Sequence, residues 1–423
     1  MTQTYASAAN ASGTAAGQSD RSAHIRTLID VTSIPTAAGC EHRVVGYIRD
    51  WVARRPELSL TTDPAGNLVV AFTGACASQP LFITAHMDHP AFVIERIVAP
   101  GVVELSFRGG VMDIFFQNAP ITIYTRDNRI AHATLTGECN TRSAAGKHYL
   151  ADVHLDDEPG AVAMKDLNVG DVATWLLDPA EVDAQGVLHT PACDDLAALA
   201  AALAAMDDLV AARRGGEQIG DVRLLFTRAE EVGFVGAIAA CKHQTMPKGS
   251  RIIALENSRA FSESPVGGGP IVRVGDRLSV FTPWLTGACA QRAEEIFGGP
   301  SAPVASQRAG SHNSRAWQRK LMAGGACEAS VFCTFGYDAT CLCLPLGNYH
   351  NMPHLAELQA GTYDHAKFGP PRAAREFIHT ADYLGLVDLL VALARKLPDG
   401  NTAFAARLER MVSELAYLIK EPC

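Results

Sequence analysis

The 423-residue chain is 48% hydrophobic and 19% charged, enough apolar material for a large core shared between two domains. A formal net charge of -9 argues against a nucleic-acid or anionic-membrane surface, both of which reward clustered Lys and Arg, and leaves small-molecule or peptide substrates. No uncharged apolar run nears the roughly 20 residues needed to span a bilayer. The first 22 residues, MTQTYASAANASGTAAGQSDRS, lack the basic and apolar regions of a secretory signal and read as a disordered tail. Eleven cysteines, an odd number without a zinc-knuckle spacing, sit mostly in apolar settings such as ATCLCLPL and predict reduced thiols in a cytoplasmic protein.

In chain order, AHIRTLIDVTSIP and EHRVVGYIRDWVARR carry apolar residues at helical spacing, and GNLVVAFTG and PLFITAH read as strands. From about residue 93 to 189 the texture changes to short alternating runs such as GVVELSFR, APITIYTRD, IAHATLTGE and DVATWLL, broken by Gly, Pro, Asn and Asp. That pattern predicts a separate small β-domain over 94–189. DDLAALAAALAAMDDLVAARR then sets Leu196, Leu199, Leu203, Met206 and Leu209 along one helix face. The strands DVRLLFT and RIIALE alternate with a Gly/Ala-rich segment after Glu231, which is the α/β pattern. ATCLCLPL predicts another buried strand and ADYLGLVDLLVALARKL a late amphipathic helix. The α/β unit therefore comprises 23–93 and 190–423, with C-terminal helices from about residue 385.

Ionisable residues recur at the ends of these elements. His86 and Asp88 follow LFITA, Asp194 and Asp195 open a helix, Glu230 and Glu231 follow VRLLFTRA, Glu256 ends RIIALE, and His350 follows CLCLPLGNY. In open α/β sheets the carboxyl ends of the strands are where ligands collect, so residues distant in sequence converge there. Two histidines with several carboxylates suit a divalent-metal site, because imidazole and carboxylate are good zinc ligands and a carboxylate can bridge two ions. Each piece alone has a plainer explanation: a strand-end His as a surface residue, DD as a helix N-cap, EE as a solvated turn. Their recurrence at successive strand ends is what predicts the site.

The motifs AHMDHPAF, VGD near Asp171, CDDLAAL, TRAEEVGFVGA, IALEN, GGGPIVR and PLGNYHN, in this order, resemble the M42 family of dinuclear metallo-aminopeptidases, the glutamyl aminopeptidase or TET-like group within the wider M28 and M20 peptidases. The likeness takes in IPTAAGCEHRV and DPAGNLVV and spans about residues 24 to 355. M20 enzymes insert their extra domain after the Glu-Glu pair. Here His86 and Asp194 lie 108 residues apart and the β-rich block fills that gap, which is the M42-like arrangement. The resemblance implies a three-layer α/β/α zinc-peptidase catalytic domain with an inserted small β-barrel-like domain.

It also implies roles. One metal would be held by His86, Asp194 and Glu256, the other by Asp194, Glu231 and His350, with Asp194 bridging; the two divalent ions would be zinc, with cobalt or manganese as alternatives. Asp88 would orient His86 and act with Glu230, the general base, in removing N-terminal residues from peptides with a free N-terminus by a two-metal activated water. The family likeness implies a homo-oligomer, a dimer or larger. A related dinuclear amidohydrolase or carboxypeptidase, and a metal-binding pseudoenzyme, are the competing readings. Three departures stand out: Glu256 where the family commonly has Asp, His89 and Pro90 after Asp88, and Cys327 and Glu328 in GGACEASVF. Without partners in the motif, His89 reads as a site-rim residue in reach of substrate.

Overall fold

The computed structural model describes residues 21–155, 162–299, 316–399 and 402–419. Of the tail expected over 1–22, only Arg21 and Ser22 fall inside, and both belong to the first helix.

Helices α1 (Arg21–Thr32) and α2 (His42–Ala53) lead into strands β1 (Leu58–Thr62), β2 (Leu68–Phe72) and β3 (Leu81–His86). Six strands follow, β4 (Ala91–Ala99), β5 (Val102–Arg108), β6 (Pro120–Tyr124), β7 (Ile130–Ser143), β8 (Gly146–His154) and β9 (Val172–Trp175). Next come β10 (Glu181–Val182), β11 (Val187–Thr190), α3 (Leu196–Arg214), β12 (Val222–Thr227), α4 (Val235–Lys242), β13 (Arg251–Arg259) and β14 (Ile271–Asp276). The chain continues through α5 (Pro283–Phe297), β15 (Gln318–Met322), α6 (Glu328–Thr334), β16 (Asp338–Leu346), α7 (Leu355–Ala360) and α8 (His365–Phe368). It closes with β17 (Glu376–His379), α9 (Thr380–Arg395) and α10 (Thr402–Leu415). No helix among the described residues is long and apolar enough to cross a membrane.

The central sheet has eight strands in the order β1-β2-β12-β3-β13-β16-β14-β15. Its middle strands β12, β3, β13 and β16 are parallel. Alternation along each strand sends successive side chains to opposite faces, and both faces are covered. Leu81, Ile83 and Ala85 join Leu224, Phe226, Ile253 and Leu255 in a core with α1, α2, α3 and α9. Phe82, Leu225, Ile252 and Ala254 face the other way, into a core with Ala237 and Ala240 of α4 and Ala329 and Phe332 of α6. This sandwich of helices around a sheet agrees with the expected α/β/α architecture.

Between β3 and α3 the six strands close into a barrel in the order β4-β5-β8-β7-β6-β9. Phe92, Phe107, Phe116, Tyr149 and Trp175 fill its interior, with Phe116 stacked on Tyr149 at 4.4 Å and Phe92 edge-on to Phe107 at 4.8 Å. The barrel strands run from Ala91 to Trp175. β10 and β11, inside the stretch assigned to the β-rich block, instead join β17 in a separate three-stranded sheet.

Two further elements differ from the sequence reading. The edge strand β1 is absent from the sequence reading: Leu58 and Leu60 alternate with Ser59, but the run is short and only Leu58 of its five residues is buried. Helix α3 is not one-faced: every residue from Leu196 to Met206 is buried. Its alanines allow the sheet, α1 and α9 to approach on all sides, and an Ala costs no side-chain entropy when buried.

Candidate metal centre

Because β3, β12, β13 and β16 are parallel, their carboxyl ends share one edge of the sheet, and the sequence-predicted residues meet there. His86 is the last residue of β3, Glu230 and Glu231 lie in the turn after β12, and His350 lies in a short turn after β16. Glu256 does not end its strand, since β13 runs on to Arg259. Asp194 sits two positions before α3, and the Asp194–Asp195 peptide is cis. Asp195 is the N-cap residue but makes no side-chain cap bond; its Oδ2 accepts the His86 N–H at 3.2 Å instead.

Asp194 stands between the two histidines. Its Oδ1 is 3.4 Å from His86 Nε2 and its Oδ2 is 3.4 Å from His350 Nε2. Glu256 Oε1 lies 4.0 Å from His86 Nε2, and Glu231 Oε1 lies 3.5 Å from His350 Nε2. Three sets of donor atoms are close enough to share an ion: His86, Asp194 and Glu256; Asp194, Glu231 and His350; and His86, Glu230 and Glu231.

Each histidine is oriented from behind. His350 Nδ1 is 2.7 Å from the Gly110 carbonyl, an acceptor that places the proton on Nδ1 and leaves the Nε2 lone pair facing Asp194 and Glu231. His86 Nδ1 is 3.1 Å from the Asp88 backbone carbonyl and 3.5 Å from the Asp88 carboxylate. The carboxylate does something the sequence did not suggest. Asp88 Oδ1 and Oδ2 accept the Glu230 and Glu231 N–H groups, each at 3.0 Å, so one residue ties the His86 strand end to the Glu-Glu turn.

His89 is not at the rim. It is buried, with Nδ1 at 2.5 Å from the Asp194 carbonyl and Nε2 at 3.1 Å from Asn351 Oδ1, so both ring nitrogens are engaged by the protein's own groups. Cys327 and Glu328 are also buried, with the Cys327 N–H on Asp276 Oδ2 at 3.0 Å.

A sequence model of the M42 glutamyl aminopeptidase family matches residues 66–297, more than half of the chain. The chain belongs to the M42 peptidase family. It is a metal-dependent aminopeptidase, and the amidohydrolase, carboxypeptidase and pseudoenzyme readings are not favoured. Solved M42-like structures share the fold. The TET1 peptidase of Pyrococcus horikoshii, described as assembling into a tetrahedron or a large octahedral shell, is 22% identical, with 88% of this chain and 100% of that one covered and a TM-score of 0.65. An aminopeptidase of the archaeon Desulfurococcus kamchatkensis is 19% identical (89% and 95% covered, TM-score 0.64). A TET aminopeptidase of a marine sediment thaumarchaeon is 16% identical (90% and 98% covered, TM-score 0.67). No curated protein sequence matches the chain.

The charge state of this M42 site tests whether metal fits it. Burial pushes the Glu230 and Glu256 carboxyls well above the usual range and Glu231 up to about 7, where His350 opposes the rise and Asp194 adds to it. Burial also disfavours a charged His350, but Glu231 and Asp194 outweigh it and lift the ring to about 9. Asp194, despite its burial, is held well below the carboxylate range by His350 and His86. Alone, the residues can relieve this crowding of acids only by holding protons. Divalent cations would displace those protons and neutralise the carboxylates. Asp194 Oδ1 and Glu231 Oε1 are buried without a hydrogen-bond partner, a costly state that coordination would end. The site fits metal.

Sequence reading missed the residue that braces this arrangement. Glu376, fully buried on β17, accepts the Cys193 and Asp194 N–H groups on Oε2 at 2.5 and 3.2 Å and the His350 N–H on Oε1 at 2.7 Å. It thereby holds the backbone of two sequence-predicted ligands from segments far apart in the chain. His350, Asn348 and Asn351 all have positive φ near 50–60°, a conformation that persists only where surrounding bonds over-determine it. The Asn351 amide supplies two of these, donating to the Pro191 and Ala374 carbonyls at 2.9 and 3.1 Å. Glu41 plays the same part for the loop before Glu230, with Oε1 accepting the Ala229 N–H at 3.0 Å and Oε2 held by Arg228 at 2.7 Å. A lone Glu in RAAREFIH has no spacing or neighbour that marks it, so no sequence signal was there to find. Glu376→Gln replaces one acceptor with a donor and is expected to weaken metal affinity about 10- to 100-fold, with turnover recovering in excess metal. Unchanged affinity by metal titration would show that Glu376 serves only the fold.

Proposed function

We propose that this M42 aminopeptidase removes N-terminal residues from peptides using two divalent ions, zinc in the first instance. His86, Asp194 and Glu256 would hold one, and Asp194, Glu231 and His350 the other. The observation that carries this reading is the pair of 3.4 Å approaches by which the two oxygens of Asp194 face the two histidines separately. A single ion would leave one Asp194 oxygen and one histidine unused.

When bound, such ions supply Lewis acidity, polarising the scissile carbonyl and lowering the pKa of water toward roughly 7. Glu230 lies at the edge of the ligand group, its Oε2 4.0 Å from His86 Nε2, and we assign it the proton transfers. It takes a proton from the attacking water and returns it to the leaving amine. Charge balance favours keeping it off the metals: Asp194, Glu231 and Glu256 offset three of four positive charges, so a water at the centre is encouraged to lose its proton. Asp88 fixes where Glu230 starts by holding its N–H. A cavity of about 420 Å³ opens beside Glu256 and Tyr349, lined by Val111, Met112, Met322 and Met352, and we assign it the substrate's first side chain because its lining is largely apolar.

Homo-oligomerisation is proposed from the likeness to TET peptidases described as dodecamers and shells. A cytoplasmic location is supported by the ten described cysteines, all of which are free.

The test pairs metal content with substrate choice. Protein stripped by chelator should be inactive, regain activity in step with two equivalents of zinc or cobalt, and cleave aminoacyl anilides only when the amine is free. Full activity with one equivalent would overturn the two-ion reading, and equal cleavage of the N-acetylated anilide would overturn the exopeptidase reading.

A further inference from the structure

Helix α10 and the 3-10 turn that extends it, Ala416–Ile419, carry an apolar stripe that no other described element covers. Leu408, Met411, Val412, Leu415, Leu418 and Ile419 recur at the three- and four-residue spacing of a core-facing helix, yet all six are 44–82% exposed. Among the described residues from 405 to 419 none is buried. A stripe of this size on a soluble enzyme marks an interaction surface.

We infer that α10 is a self-association helix that pairs antiparallel with α10 of a second copy of this chain. Within α10, Leu408, Met411 and Leu415 alternate by three and four residues, the a and d positions of a heptad. The flanking charges decide the orientation. Arg407 and Glu414 both fall at the g position, seven residues apart. In an antiparallel pair g faces g, so with Leu408 set against Met411 of the other copy, each Arg407 meets the other copy's Glu414, twice by symmetry. The e positions then bring Ala405 and Val412 together, small against large. A parallel pair would set Arg407 against Val412 and Glu414 against Ile419, leaving both charges without a complement. A lipid surface is the poorer occupant, because membrane-surface helices have polar faces rich in Lys and Arg, whereas Arg407 and Arg410 here are matched by Glu409 and Glu414.

The proposal rests on the homo-oligomer reading but not on the metal assignment, and one experiment separates their failures. The full-length protein and its Leu408→Glu/Leu415→Glu variant are compared by sedimentation velocity, with anilide hydrolysis as a check on folding. The wild type should be an oligomer, and the variant should have half as many subunits or fewer at unchanged specific activity. Arg407→Glu, which sets like charges together, should weaken the association at least tenfold, and Arg407→Glu/Glu414→Arg should restore it. A monomeric wild type would overturn both the oligomer and this interface. An oligomer whose subunit number ignores the double glutamate would overturn the interface alone. Failure of the charge swap to restore association would overturn the antiparallel register. Binding of wild type, but not of the variant, to phosphatidylserine vesicles without any change in subunit number would replace the second copy by a membrane.

Discussion

Glu230→Gln is expected to keep its full metal content and lose about 10² to 10⁴ in turnover. Gln preserves the length and the backbone N–H bond to Asp88 Oδ1, so the Glu-Glu turn stays in place. What it removes is the capacity to accept a proton from water and deliver it to the amine. Metal affinity should hold, since Asp194, Glu231, Glu256 and both histidines are untouched. The metal-free variant should be no less stable than wild type, because burial and the neighbouring Glu231 and Asp88 already disfavour a charge on Glu230. Metal content by atomic spectroscopy and kcat on a free-amine anilide check the two halves independently. Unimpaired kcat would rule out Glu230 as the base, while loss of metal would make it a ligand, in keeping with its place in the His86, Glu230 and Glu231 group.

His350→Ala should behave differently, losing one ion of the two and cutting kcat/KM by more than about 10³, since two-ion chemistry needs both charges at the reacting carbonyl. His350 faces Asp194 at 3.4 Å and Glu231 at 3.5 Å, whereas the remaining set of His86, Asp194 and Glu256 contains neither His350 nor Glu231. One ion should therefore remain. Position 350 has φ 54°, where Ala is strained, so His350→Asn is the companion variant: Asn tolerates that backbone but is a poorer ligand. Equal metal loss in both variants assigns the effect to the imidazole. Two ions retained in either would remove His350 from the ligand set.

Much of the site was legible because of where charge occurs along the chain. A buried strand that ends on an ionisable group is costly unless something compensates, and LFITAH, the TRAEE turn and PLGNYH repeat that cost at successive strand ends. Parallel strands then bring those ends together, so the pattern carries spatial information that no single residue has. The readings that changed share another feature. His89 follows Asp88 in sequence and was placed at the rim, but its position depends on Asn351, over 260 residues later. Glu256 was placed at a strand end because the apolar run stops there, yet β13 continues while pairing with β16 as far as Leu346. The strength of the Leu pattern in α3 hid the burial of its alanines, which periodicity cannot report.

By itself, then, the sequence determined the alternation of strands and helices, the β-rich block between His86 and Asp194, the motifs of the M42 family and the kinds of donor at the site, because each depends on residue type and local spacing. Only the tertiary structure decided that Asp194 turns one oxygen to each histidine, that Asp88 clamps the Glu-Glu turn, that Glu376 braces Asp194 and His350, and that the stripe on α10 is left exposed among the described residues. Those are relations between segments far apart in the chain. Hydrogen bonds and burial of this kind depend on distance and direction in space, which local spacing does not specify.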